Sequence, residues 1–261
     1  MRDAALLPVI ALLLGAPGSA SAATRRALAE GWLVDQWTTA DGLPVDHATD
    51  VAFQDDGYVW ITTFDGLVRF DGVTFHALTP DELPGLRTRR HQQLDVHPED
   101  GALWILSDDG RAVSRLAEGK LRVWDRYEGF PAPGRIQRDA GGLWLLTLDG
   151  IYALTDEPER RWSDVVTGEV VGTALDPDGT RWVATARDGI VRLRPDGAVD
   201  RLGTVQGVDA IGEFLGLRGG GRWLLPQTPV PEDGRTWDGA RFRPDPGVHP
   251  PGCACIDPLG T

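Results

Sequence analysis

The sequence predicts an all-β protein, a β-propeller with about five four-stranded blades in an incomplete ring, and three observations carry that prediction. Five tryptophans, Trp60, Trp104, Trp144, Trp182 and Trp223, recur at intervals of 44, 40, 38 and 41 residues. A glycine stands three residues before each of them, at Gly57, Gly101, Gly141, Gly179 and Gly220. Outside the N-terminal segment, apolar residues nowhere follow a helical spacing. Units of this length without a helix match propeller blades and exclude helical solenoids of similar period. A two-sheet sandwich does not account for so even a recurrence.

The elements follow in order. Met1 to Ala22 carries Arg2, an apolar stretch from Ala4 to Ala16, a Pro17-Gly18 break and Ala20-Ser21-Ala22. That order is the pattern of a secretory signal peptide cleaved after Ala22, and the apolar stretch is too short to favour a spanning helix. The expected divisions are therefore a signal peptide over 1–22, propeller repeats over 23–245 and an irregular Pro/Gly-rich tail over 246–261. Trp32 to Thr38 reads as a strand with no blade of its own, expected to complete the final blade and latch the ring.

In the first full repeat, His47 to Phe53 is a strand ending at the Asp55-Asp56-Gly57 turn. Val59 to Thr63 is β-branched and aromatic, Asp65-Gly66 fits a tight hairpin, and Leu67 to Phe70 answers as the third strand. After Asp71-Gly72, Val73 to Leu78 supplies the fourth. Asp-Gly recurs at Asp109-Gly110, Asp149-Gly150 and Asp188-Gly189, the last one residue later relative to its tryptophan, where a bulge is expected. The fifth unit is weak. Prolines between Pro226 and Pro231 deny ladder hydrogen bonds, and the pattern resumes only around Trp237-Asp238-Gly239.

Charge narrows the partners. The formal net charge is -13, which repels phosphate backbones and excludes nucleic acid as an expected partner. Cys253 and Cys255, the only two cysteines, are one residue apart, so a bridge would staple almost nothing, and no second Cys or His pair accompanies them for a metal.

The segment Trp37-Thr38-Thr39-Ala40-Asp41-Gly42-Leu43-Pro44, with Asp56-Gly57-Tyr58-Val59-Trp60-Ile61-Thr62-Thr63 and Asp65-Gly66-Leu67-Val68-Arg69-Phe70-Asp71-Gly72, resembles the two-component regulator propeller repeat family. The resemblance covers residues 32 to about 243 and is strongest in the first copy. It implies the exported sensor region of a membrane-bound regulator, usually followed by a small β-sandwich, a membrane helix and a histidine kinase or diguanylate cyclase output. The chain departs from that pattern in its five repeats and in carrying no membrane helix or output motif. The expectation is a fragment of such a receptor, with a short stand-alone sensor as the alternative.

No residue is assigned to catalysis, cofactor binding or metal ligation, and no cofactor is expected. The acidic pairs Asp55-Asp56, Glu99-Asp100, Asp108-Asp109 and Glu232-Asp233 each sit beside a glycine, where turn chemistry explains them. Asp176-Pro177-Asp178-Gly179 has Arg181 where a calcium loop needs glycine. The five histidines, His47, His76, His91, His97 and His249, lack ligand spacing. Among them His91 and His97 are the first places to look for enzyme chemistry. Nucleophile elbows, HExxH and phosphate loops are missing. The repeat tryptophans are read as packing between blades. The loop from Thr79 to Arg90, which makes the first interval the longest, is the expected contact surface, with Leu86 and Arg87 as its test positions.

These readings converge on a periplasmic or secreted ligand-sensing propeller of a two-component-type receptor, not itself an enzyme. Its partners are an extracellular ligand, with carbohydrate a candidate, and a membrane-bound signalling protein. An exported propeller enzyme of lyase or glycosidase type, or a passive protein-interaction scaffold, are the alternatives.

Overall fold

The computed structural model describes residues 26–27, 33–34, 36–79, 81–86, 88–108, 110, 112–131, 133–203, 211–216, 222–226, 234–237 and 242–245. A short hairpin comes first, β1 (Arg26–Ala27) paired with β2 (Leu33–Val34). Five four-stranded antiparallel sheets follow, each made of four consecutive strands. Blade 1 comprises β3 (Ala48–Phe53), β4 (Val59–Thr63), β5 (Gly66–Phe70) and β6 (Phe75–Leu78). Blade 2 comprises β7 (His91–Val96), β8 (Leu103–Ser107), β9 (Ala112–Ala117) and β10 (Lys120–Asp125). Blade 3 has β11 (Pro133–Asp139), β12 (Gly142–Thr147), β13 (Ile151–Leu154) and β14 (Pro158–Arg161). Blade 4 has β15 (Val170–Leu175), β16 (Arg181–Thr185), β17 (Gly189–Leu193) and β18 (Val199–Gly203). Blade 5 has β19 (Ile211–Gly216), β20 (Arg222–Pro226), β21 (Gly234–Trp237) and β22 (Phe242–Asp245). The fold is thus the all-β propeller type, and none of the described helical turns is long and apolar enough to cross a membrane.

The proposed signal peptide, Cys253, Cys255 and the tail over 246–261 lie outside the described residues. The expected latch strand is corrected. Among its described residues Leu33–Val34 is strand, and its partner is Arg26–Ala27 rather than a distant blade. The cause lies in the next residues. Thr38 and Asp41 form a capping box around a 3-10 turn over Thr39–Asp41, which ends extended structure, and Trp37 packs edge-on against Phe70 and Phe75 of blade 1.

Among the described residues, the glycines before the tryptophans have local causes. Gly57 has φ +91 and closes a turn in which Gln54 N–H donates to the Tyr58 carbonyl at 3.0 Å. Left-handed backbone of this kind favours glycine over residues with a Cβ. Gly141 is different: a Cβ there would collide with the guanidinium of Arg181, so close side-chain packing explains this glycine.

All five sheets share an irregularity that no residue type marks. The pairing of the first strand with the second slips by one residue at Ala48/Asp50, His91/Gln93, Pro133/Arg135, Val170/Gly172 and Ile211/Glu213. Each blade therefore begins with a β-bulge. The bulge expected in the hairpin of blade 4 is not there. Thr185 pairs with Gly189 and the register runs on unbroken, so the extra residue lengthens the turn to three residues.

The strands divide between two compact units. The first takes in β1 to β10, the second β11 to β22 together with His97–Glu99. In the first unit, Trp60 and Leu67 of blade 1 pack on Leu94, Leu103, Ile105 and Leu116 of blade 2. In the second, Trp144, Leu146, Ile151 and Ala153 of blade 3 pack on Val183, Val191 and Leu193 of blade 4. One rule serves both. In each pair the tryptophan face of the earlier blade covers the opposite face of the later one, and burying each Leu or Ile there contributes roughly 1.5–3 kcal/mol. Side-chain amides and hydroxyls tie first strands together as well. Thr49 donates to the His91 carbonyl at 2.8 Å, and Gln137 donates to the Thr173 carbonyl at 2.7 Å while accepting from its N–H at 3.1 Å.

Candidate ligand cleft in the first unit

In blades 1, 3 and 4 the turn between second and third strands is closed by a threonine three residues after the tryptophan. Thr63, Thr147 and Thr185 donate to the carbonyls of Gly66, Gly150 and Gly189 at 2.9, 2.9 and 3.0 Å. Each also accepts from the turn aspartate's N–H, as Thr63 does from Asp65 at 3.0 Å. Ser107 holds the same place in blade 2 and accepts from Ala112 N–H at 3.0 Å. A Ser or Thr three positions after Trp in the first four repeats, replaced by Pro226 in the fifth, is the sequence signal of this turn.

The connection from β6 to β7 folds over this end of blade 1. Glu82 accepts from the N–H and hydroxyl of Thr79, both at 2.9 Å, and from His76 at 2.7 Å. The Thr79 hydrogen bonds, with His76 adding to them, hold the Glu82 carboxyl below the ordinary carboxylate range. Leu83 is 4% exposed and inserts into the core shared by blades 1 and 2, while Leu86 packs beside it. Pinning the loop at Leu83 leaves a cleft of about 280 Å³ between it and the Asp65-Gly66 turn. Pro44, Ala77, Leu78 and Leu86 give apolar walls, and Asp65 and Arg89 bring opposite charges.

Arg89 and Arg90 behave differently. Arg90 is clamped, donating to Asp108 from Nε at 2.9 Å with Nη2 at 2.8 Å, and its guanidinium lies 4.5 Å from the centroid of the Phe64 ring, on which His47 stacks. Arg89 reaches Asp65 only at 3.6 Å, with both side chains more than half exposed. The run Arg87-Thr88-Arg89-Arg90-His91, three arginines and a histidine in an acidic chain, is the sequence signal that marks this place.

The structure disperses the other candidates. His91 lies in β7, 2% exposed, with neither ring nitrogen hydrogen-bonded, and burial pushes its pKa down to about 4. His97 is buried beyond the other end of β7, about 20 Å of extended chain away. The two do not share a site. His76 pairs with Glu82, and His249 and Arg87 lie outside the described residues. Asp56, Asp100 and Asp178 accept from backbone N–H groups two residues on, as turn residues do. Asp176 accepts from the Trp182 indole at 2.7 Å. Asp109, Glu232 and Asp233 are outside the described residues. Among the described residues no three His, Cys, Asp or Glu side chains are arranged to hold a metal ion. A second cavity of about 260 Å³ lies on the other face of blade 1, lined by Trp37, Ile61, Phe70 and Phe75. Asp50 borders it, but its carboxylate accepts from Leu94 N–H of blade 2 at 3.0 Å, and burial raises its pKa.

No family model and no curated protein matches the sequence. Solved structures share the fold. A catalytically inactive virginiamycin B lyase from Staphylococcus aureus, with quinupristin, superposes with a TM-score of 0.57 at 15% identity over 84% of this chain and 75% of that one. YCF48 bound to D1 peptide gives 0.54 at 14% identity over 83% and 72%. The extracellular domain of the candidate hybrid two-component system BT3049 from B. thetaiotaomicron gives 0.53 at 16% identity over 70% and 26%. This chain spans about a quarter of that domain. At such identities the likeness establishes the propeller fold.

Proposed function

We propose that this chain is an exported recognition propeller of a two-component-type signalling receptor, binding its ligand in the cleft beneath the Thr79–Arg90 loop. The observation that carries the reading is the loop itself. It lengthens one repeat, is fixed to the core through Leu83, and encloses a cleft with apolar walls and two opposed charges, the usual composition of a ligand pocket. The repeat pattern of residues 37–72 and the shared fold with extracellular domains of two-component systems support the sensing role and an extracytoplasmic location. No kinase or cyclase motif stands in these residues, so the output step belongs to another domain or to a membrane-bound partner. The reading assigns no catalysis to this chain, and the separate, buried positions of His91 and His97 favour it over a lyase.

The test is a thermal-shift screen of the purified chain against neutral and acidic oligosaccharides, amino acids and small peptides, followed by calorimetry with Leu86→Ala. A stabilising compound whose binding Leu86→Ala weakens supports the reading. A ligand unaffected by Leu86→Ala, or turnover of any screened compound, overturns it.

A further inference from the structure

The polar groups lining the cleft are unequally available. Thr79 gives its hydroxyl and N–H to Glu82, Thr88 accepts from Arg90 N–H at 3.0 Å, and the Gly66 carbonyl accepts from Thr63. Beside the Thr88 O–H, what remains is a guanidinium and a carboxylate, Arg89 and Asp65, 3.6 Å apart at their nearest atoms. An exposed pair at that separation contributes little to stability, so separating its members costs little. A lone anion in the cleft meets Arg89 but also the Asp65 carboxylate. A lone cation meets the reverse, and a neutral polyol engages neither charge as a charge. A molecule bearing a carboxylate and an ammonium on adjacent atoms satisfies both, with charge-assisted and, at the guanidinium, bidentate hydrogen bonds. The walls then dictate the rest, since Leu78, Leu86, Ala77 and Pro44 face the same space and about 280 Å³ is small for a ligand pocket.

We propose that the cleft binds a single free α-amino acid as its zwitterion, Arg89 taking the carboxylate, Asp65 the ammonium and the leucine-lined wall an apolar side chain. This rests on the reading that the cleft is a ligand site and names the class of ligand.

Titration calorimetry of the full chain with L-leucine tests it, alongside leucinamide, which lacks the carboxylate, and 4-methylpentanoate, which lacks the ammonium. Leucine is expected to bind, with each analogue weaker by about tenfold or more. Arg89→Gln and Asp65→Asn are expected to weaken leucine by a similar factor. Asn-Gly suits the hairpin as Asp-Gly does, so melting of Asp65→Asn is expected to stay within about 2 °C of the parent. Absence of binding by leucine, an analogue that binds equally well, or variants that bind leucine unchanged each overturn the proposal. If leucine fails while another screened compound binds and Leu86→Ala weakens it, recognition by the cleft stands and the zwitterion falls. If Leu86→Ala affects no ligand, the cleft falls with it.

Discussion

The guanidinium of Arg181, on blade 4, lies 4.1 Å from the centroid of the Trp144 ring, on blade 3. Its Nη1 donates to Asp139 at 2.6 Å and to Thr173 at 2.9 Å, and the same Asp139 carboxylate accepts from the Trp144 indole at 3.0 Å. Trp162, held in left-handed backbone at φ 52, stacks on Trp144 from the connection between the two blades. One arginine, 5% exposed, thus joins a carboxylate, a hydroxyl and an aromatic pair across a blade boundary.

Arg181→Met is therefore expected to destabilise the second unit by about 2–4 kcal/mol, because it leaves the partly buried Asp139 carboxylate without its cation. Adding Asp139→Asn should recover part of that loss. Urea unfolding of the single and double variants measures both, and equal losses in the two would contradict the account.

His91 makes stability depend on pH. Its folded pKa of about 4 lies below its ordinary 6.5, so the unfolded chain binds more protons between those values. Its contribution is complete above pH 6.5 and is lost as pH falls toward 4, by about 3 kcal/mol in all. His91→Leu should flatten this part of the stability profile, measured by denaturant unfolding at half-unit intervals. An unchanged slope would place the acid sensitivity elsewhere.

The Asp65-Gly66 turn offers a finer test. Thr63→Val removes one hydroxyl that both donates to Gly66 and accepts from Asp65, at an expected cost of about 1–3 kcal/mol. Thr63→Ser keeps the hydroxyl and should cost less. Thermal melting of the two variants separates a hydrogen-bond effect from loss of the methyl group.

Leu83→Ala should cost about 2–4 kcal/mol through the cavity it leaves. It should also free the Thr79–Arg90 loop. Limited proteolysis is expected to cut the variant within that loop before any other site, and cutting elsewhere first would show that Leu83 is not the loop's anchor.

Much of the architecture was legible because indole, glycine and Asp-Gly turns are chemical landmarks with fixed places in each blade. The bulges at the first strands were not legible, since a slipped register leaves no residue signature at Thr49, Gln92, Gly134, Val171 or Gly212. The region around Trp37 misled because Leu33, Val34 and Trp37 read as strand, whereas Trp37 is taken by the face of blade 1. The cleft was half legible. The interval of 44 residues marked the inserted loop, but nothing in sequence sets Asp65 beside Arg89, which meet only once Leu83 has folded the loop back. His91 and His97 looked alike as letters. Burial and the length of β7 separate them.

The recurring slip at the mouth of every first strand bears on how such a chain can change. A residue gained or lost there is absorbed after the first pair of the ladder and before the rows that hold the indoles, so those rows keep their partners. Each blade can therefore reshape its rim independently, and new recognition can be acquired one repeat at a time without rewriting the interior.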